Sequence, residues 1–177
     1  MILMAQSLDI VLGNRICWQI LKFFLDNPNG EFYESEIQRR AAAARASVRK
    51  WLHVLEQLNF ISTTRRGRLK LYRLNREYPL VKQLKVLSTM SWLLPKLEAL
   101  EGQGEVYLYG SAARGEGRED SDLDILAIGR ERAVINKIKA IDERIKVSFF
   151  TPLEWAKTAR EDPAFYERVE RDKIRLV

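Results

Sequence analysis

The spacing in this chain from which chemistry can be read is Gly110-Ser111, ten intervening residues, then Asp122-x-Asp124. Ala113-Arg114-Gly115 follows the Gly-Ser closely, and Ser121 stands before the first acid. Residues i and i+2 of a strand point to one side, roughly 7 Å apart along the chain, so Asp122 and Asp124 at the mouth of a strand share a face. Two carboxylates so placed can hold Mg²⁺ ions that neutralise a triphosphate and its leaving group. Gly110 suits a sharp turn with close backbone approach. Ser111 is expected to cap a short helix over residues 112–114, and a helix start directly after a strand leaves N–H groups able to hold a phosphate.

These residues need elements to position them. Val106 to Tyr109 and Ile125 to Ile128 have strand length and composition, and the charged loop from Arg114 to Asp120 lies between them. A helix carrying Val134, Ile135, Ile138 and Ile141 is predicted next, then a third strand over Lys146 to Phe150. Thr151-Pro152-Leu153-Glu154 reads as a helix start, with Thr as cap, Pro at the first position and Glu closing a capping box. A last helix from Pro163 and a terminal strand at 174–177 complete the unit.

With apolar strands on both sides, this pattern resembles the signature of the DNA polymerase β-like nucleotidyltransferase superfamily in its smallest form. The resemblance implies a nucleoside triphosphate held by Gly110, Ser111, Arg114 and Ser121, with Asp122 and Asp124 as catalytic Mg²⁺ ligands. A nucleoside monophosphate would pass to a hydroxyl of a protein or small molecule. Relatives of this form include antitoxins that adenylylate partner toxins, so a toxin-like protein acceptor is one expectation. The superfamily also implies a third carboxylate on the next strand, where relatives show V-D-L-V-T. Here Val147-Ser148-Phe149-Phe150-Thr151 puts Ser148 in that place, so a two-metal site would lack its third ligand. The alternative is a catalytically weak or inactive regulator or antitoxin that senses a nucleotide or a partner.

The first part of the chain reads differently. An apolar segment from Ile10 to Leu25 has helix-like recurrence and ends at Asn27-Pro28-Asn29-Gly30. A second helix is predicted over residues 33–41 and a third over about 46–59, with Val48, Trp51, Leu52, Leu55 and Leu58 on one face. Two alternating strands follow, at 60–64 and 69–74, with Arg65-Arg66-Gly67-Arg68 at the hairpin tip. Between Gln38 and Arg76 stand eleven Lys or Arg against the single acid Glu56, so this segment carries +10 while the rest of the chain sums to −4. Such a basic footprint points to nucleic acid.

Three helices and a basic hairpin resemble the winged helix-turn-helix domains of small prokaryotic repressors. That resemblance implies double-stranded DNA as partner, with Ser47, Arg49 and Lys50 on the helix that enters the major groove. Arg65, Arg66, Arg68 and Lys70 would follow the backbone, and a homodimer paired through flanking helices is expected.

Composition narrows the rest. No apolar run has membrane-spanning length, and the first residues lack a signal sequence, so a cytoplasmic protein without a membrane partner is expected. With one cysteine, Cys17, and one histidine, His53, neither an internal disulfide nor a zinc site can be built. The expected architecture is α+β: a winged helix over 1–78, a connecting helix over 79–104, and a small nucleotidyltransferase-like α/β domain with a mixed sheet over 105–177.

Overall fold

The computed structural model, which describes residues 7–118 and 120–177, breaks the first apolar segment at Gly13-Asn14. Of the opening residues read for a signal sequence, the first six lie outside the described residues. Helix α1 (Ser7–Leu12) stops there and α2 (Arg15–Asp26) begins. The Asn14 side chain accepts from the backbone N–H groups of Ile16 and Cys17, each at 3.1 Å, satisfying donors that a helix start leaves open. α2 buries Cys17, Ile20, Leu21, Phe24 and Leu25.

Strand β1 (Glu31–Tyr33) is too short to show alternation in sequence, and α3 (Glu34–Ala41) starts immediately after it. α4 (Arg45–Gln57) buries Val48, Leu52 and Leu55 at the spacing expected. β2 (Ile61–Arg66) and β3 (Leu69–Leu74) form the hairpin, turning at Gly67 with φ +61°. The antiparallel sheet has order β1-β3-β2.

Two compact units divide between Val81 and Lys82, inside the segment read as a connector. Helix α5 (Pro79–Leu97) runs through that boundary, and its later residues Leu93 and Leu97 are fully buried in the core of the second unit. Pro95 falls in the last turn, and a 3-10 turn (Glu98–Leu100) follows.

The second unit is built on a mixed sheet. Its elements are β4 (Gly104–Tyr109), α6 (Gly110–Ala113), β5 (Leu123–Gly129), α7 (Ala133–Lys139) and β6 (Ile145–Phe150). Then come α8 (Pro152–Glu161), α9 (Pro163–Asp172) and β7 (Ile174–Arg175). Strand order is β6-β5-β4-β7, with β5 and β6 parallel and the other pairs antiparallel. The fold is therefore α+β.

Period-two alternation separates the two faces of this sheet. Val106, Leu108, Ile125 and Ala127 pack with Leu93, Leu97, Val134 and Ile138 on one side. Tyr107, Tyr109, Leu126 and Ile128 pack with Trp155 and Val169, of α8 and α9, on the other. The capping box at α8 forms: Thr151 N–H donates to Glu154 Oε2 at 2.7 Å, and Glu154 N–H to Thr151 Oγ1 at 3.2 Å. Each fully buried Leu or Ile on these faces contributes about 1.5–3 kcal/mol. That burial is what fixes which way Asp124 points.

Candidate active site

Asp124 is the second residue of β5 and shares a face with Leu126 and Ile128, the face covered by α8 and α9. Its strand partners are Tyr109 on β4 and Lys146 on β6. Burial pushes its carboxyl above the usual range, and the neighbouring charge of Asp122 pushes it further, against opposing pulls from Arg168 and Arg114. Gly110 has φ +71°, and a Cβ there would stand only 2.6 Å from Asp124 Oδ2. The glycine therefore serves both the turn and the space beside the carboxylate.

Asp122 lies just before the strand and is exposed. Lys146 Nζ approaches its Oδ1 at 3.9 Å. Ser148, two residues along β6 and hence on the same face, pairs in register with Leu126. Its hydroxyl shares a 3.1 Å hydrogen bond with that of Tyr109, reaching across β5. The third-acid position thus holds a neutral, already partnered group.

The Gly-Ser turn departs from expectation by two residues. Helix α6 starts at Gly110 with Tyr109 as its cap, so Ser111 lies within the first turn and does not cap it. The positive φ of Gly110 lets the chain turn that much earlier. The Ser111 carbonyl accepts from Glu116 N–H at 2.8 Å and Gly117 N–H at 3.2 Å, which folds the charged loop back on the helix. Ser121 also shapes the loop, its Oγ accepting from Arg118 N–H at 2.7 Å. Gly115, at φ +69°, lies so close to α5 that a Cβ would meet the Lys82 carbonyl oxygen at 2.1 Å.

Arg114 is engaged elsewhere. Its Nε donates to Glu116 at 2.8 Å and its Nη1 to Asp172, at the end of α9. The Asp172 side chain is only 6% exposed, and Arg171 and Arg114 together hold its carboxyl below the ordinary range. Arg114 thus fastens the turn to α9. Arg168 is the α9 cation whose charge acts on Asp124, its guanidinium lying 5.5 Å from the Phe165 ring centroid.

Lys146, Arg168, Tyr109 and Asp172 all escaped the sequence reading. Lys146 had a usable signal, since it stands two residues from Ser148 on one strand face. Asp172 had none, being brought to Arg114 across 58 residues by tertiary packing alone. A cavity of about 620 Å³ opens at the opposite end of the sheet, against Gly104, Glu105, Gly129 and Arg130, and Asp122 and Asp124 do not line it.

In the first unit, Arg49 of α4 donates to Glu34 at 2.9 and 3.2 Å, and Arg45 joins at 3.0 Å. Ser47 is half-buried, and Lys50 Nζ lies 5.0 Å from the Trp51 ring centroid. At the hairpin, Arg66 meets Glu31 at 3.3 Å and Lys70 meets Glu56 at 2.8 Å, while Arg65 and Arg68 are exposed. Exposed pairs of this kind hold their cations weakly enough to yield to a phosphate.

The two aspartates fit a divalent cation, because positive charge between them would relieve both the burial cost at Asp124 and the repulsion from Asp122. A second ion has no further acid to hold it: among the described residues no three or more His, Cys, Asp or Glu stand together. No described helix is long and apolar enough to cross a membrane.

Comparison with known proteins adds to this geometry. No curated protein matches in sequence. Among solved structures, a candidate nucleotidyltransferase from Sulfolobus solfataricus is similar at 18% identity over 54% of this chain and 82% of its own, with a TM-score of 0.32. Residues 90–175, which contain Gly110, Ser111, Asp122 and Asp124, match the family model described as "Nucleotidyltransferase domain", so the second unit of the chain carries a nucleotidyltransferase domain.

Proposed function

We propose that the second unit binds a nucleoside triphosphate and passes its nucleoside monophosphate to a hydroxyl of a protein or small molecule. The observation that carries this reading is the Asp122–Asp124 pair at the start of β5, with the Gly110 turn against the Asp124 carboxylate. Asp122 and Asp124 would hold Mg²⁺, which when bound supplies positive charge against the phosphate oxygens. Gly110 and Ser111 form the turn facing the phosphates, and the bonds from Glu116 and Gly117 to Ser111, with that from Arg118 to Ser121, limit how far they can shift. Arg114 contributes by holding that turn to α9. In the transfer, the acceptor oxygen forms a bond to the α-phosphorus as the bond to pyrophosphate breaks, and the hydroxyl proton leaves to solvent.

Ser148 favours a second reading in which the same site binds nucleotide without turning it over, because a neutral hydroxyl bonded to Tyr109 is a poor base and a poor cation ligand. Incubation with Mg²⁺ and α-labelled ATP, CTP, GTP and UTP, with polypeptide and small hydroxyl acceptors, separates the two. Label transfer abolished by Asp122→Ala/Asp124→Ala supports the transferase. Nucleotide binding without transfer supports the sensor, and loss of both removes the site.

For the first unit the reading is a winged helix that binds double-stranded DNA. It is supported by the order α2-β1-α3-α4-β2-β3 and by the basic residues on α4 and the hairpin. Arg65→Ala/Arg66→Ala/Arg68→Ala should weaken binding to all sequences alike. It should also flatten the log K against log salt slope by about 0.9 per lost phosphate contact. An unchanged slope in a mobility-shift series would remove the hairpin from the interface.

A further inference from the structure

We infer that this site takes its triphosphate together with one divalent cation, Lys146 supplying the positive charge that a second cation would otherwise bring. The inference rests on the nucleotide-binding reading of the Asp pair and adds a residue and a stoichiometry to it.

Three observations carry it. First, β6 is the strand beside Asp124, and on the shared face it presents Lys146 and then Ser148, a cation and a neutral hydroxyl. An acid on this strand would extend the ligand set toward a second ion, whereas an ammonium repels one. Second, Lys146 Nζ is 3.9 Å from Asp122 Oδ1, with side chains 62% and 57% exposed. At that exposure the pair is worth little, so the ammonium is near the acids without being held there. Its flexible stem lets it turn to an incoming phosphate, which it would meet as a point charge. Third, with Arg114 committed to Glu116 and Asp172, the charges left at the cleft among the described residues are Asp122 and Asp124 against Lys146 and Arg168, which balance. A site in balance that admits a single divalent cation becomes net positive. That suits a polyphosphate, and further cations add repulsion from Lys146 without meeting another ligand among the described residues.

The Ser148–Tyr109 hydrogen bond completes the picture on the inner side. It occupies the Ser148 hydroxyl, leaving Lys146 as the polar group of β6 that approaches Asp122. Before nucleotide arrives, Lys146 partly neutralises Asp122. Once it arrives, the ammonium moves from carboxylate to phosphate.

The test counts bound Mn²⁺ by electron paramagnetic resonance and measures affinity by calorimetry, using the full chain and the α,β-methylene analogues of ATP, CTP, GTP and UTP. The wild-type chain should hold one Mn²⁺ per bound analogue. Lys146→Gln should weaken the analogue about tenfold, the worth of one charge-assisted contact, while tightening Mn²⁺ alone. Lys146→Arg should restore analogue binding, which a merely structural role for the side chain would not require. Two Mn²⁺ per analogue, or Lys146→Gln binding as the wild type does, overturns the inference and leaves the nucleotidyltransferase reading standing. If the wild-type chain binds none of the four analogues, both fall.

Discussion

Replacing Gly110 by Ala asks whether the Asp124 carboxylate is really lodged against the turn. The backbone there has φ +71°, which costs an L-residue about 1–2 kcal/mol. The new Cβ would stand 2.6 Å from Asp124 Oδ2 and 3.5 Å from its Cγ. Asp124 must leave its rotamer to clear it, at a further cost of about 1 kcal/mol. Gly102 provides the control within the same unit, with φ +76° and nothing within 4 Å of an added Cβ. Both substitutions bear the backbone strain and both restrict the unfolded chain, so the latter effect cancels between them. Gly110→Ala should therefore be the more destabilising by about 1 kcal/mol, or about 4–8 °C in melting temperature for a unit of this size. Thermal and urea unfolding measure the difference. Repeating the pair in an Asp124→Ala background should erase it, because the obstructing carboxylate is gone. Equal costs for the two alanines in the wild-type background would refute the contact and detach Asp124 from the turn.

Two carboxylates, Asp124 and Asp172, carry the other electrostatic outcomes. Asp124 keeps its proton to higher pH in the folded chain than when unfolded, chiefly through burial and then through Asp122. Stability should therefore decline as pH rises from the ordinary carboxylate range through that raised value, and Mn²⁺ binding should weaken as pH falls through it. Asp122→Asn removes the second cause and should move the midpoint down, as read from the ¹³C shift of the Asp124 carboxyl. Arg114→Ala should leave the nearly buried Asp172 with Arg171 alone, lowering the second unit's stability by about 1–3 kcal/mol. Asp172, with a depressed pKa, contributes stability above the unfolded carboxylate value and loses it as pH falls through the folded one. The variant's acid unfolding curve should show less of that loss, and an unchanged curve would show that Arg114 does not bind Asp172.

How much was legible depended on how local the cause was. The α8 start could be read because Thr151, Pro152 and Glu154 make their bonds within one turn. Strands β4 and β5 could be read because their alternation and apolar content are carried by consecutive residues. The break at Asn14 was hidden within a continuous apolar pattern, since the cap there depends on a single side chain. Strand β1 was hidden because three residues show no period, and its pairing partner Leu71–Arg73 lies some forty positions away. The cap at Tyr109 in place of Ser111 turned on one positive φ, which residue type permits but does not dictate.

The order of residues by itself determined that two acids at strand spacing follow a Gly-Ser turn, that basic charge is concentrated on one stretch, and that no acid stands at residue 148. Those are properties of near neighbours, where a period or a spacing is enough. Only the tertiary structure decided what surrounds the acids. Parallel pairing of β5 with β6 brings Lys146 beside Asp124, and packing of α9 commits Arg114 to Asp172. Burial of Leu126 and Ile128 beneath α8 and α9 turns Asp124 toward the same layer. Such contacts join residues far apart in the chain, and their existence depends on the whole core forming at once.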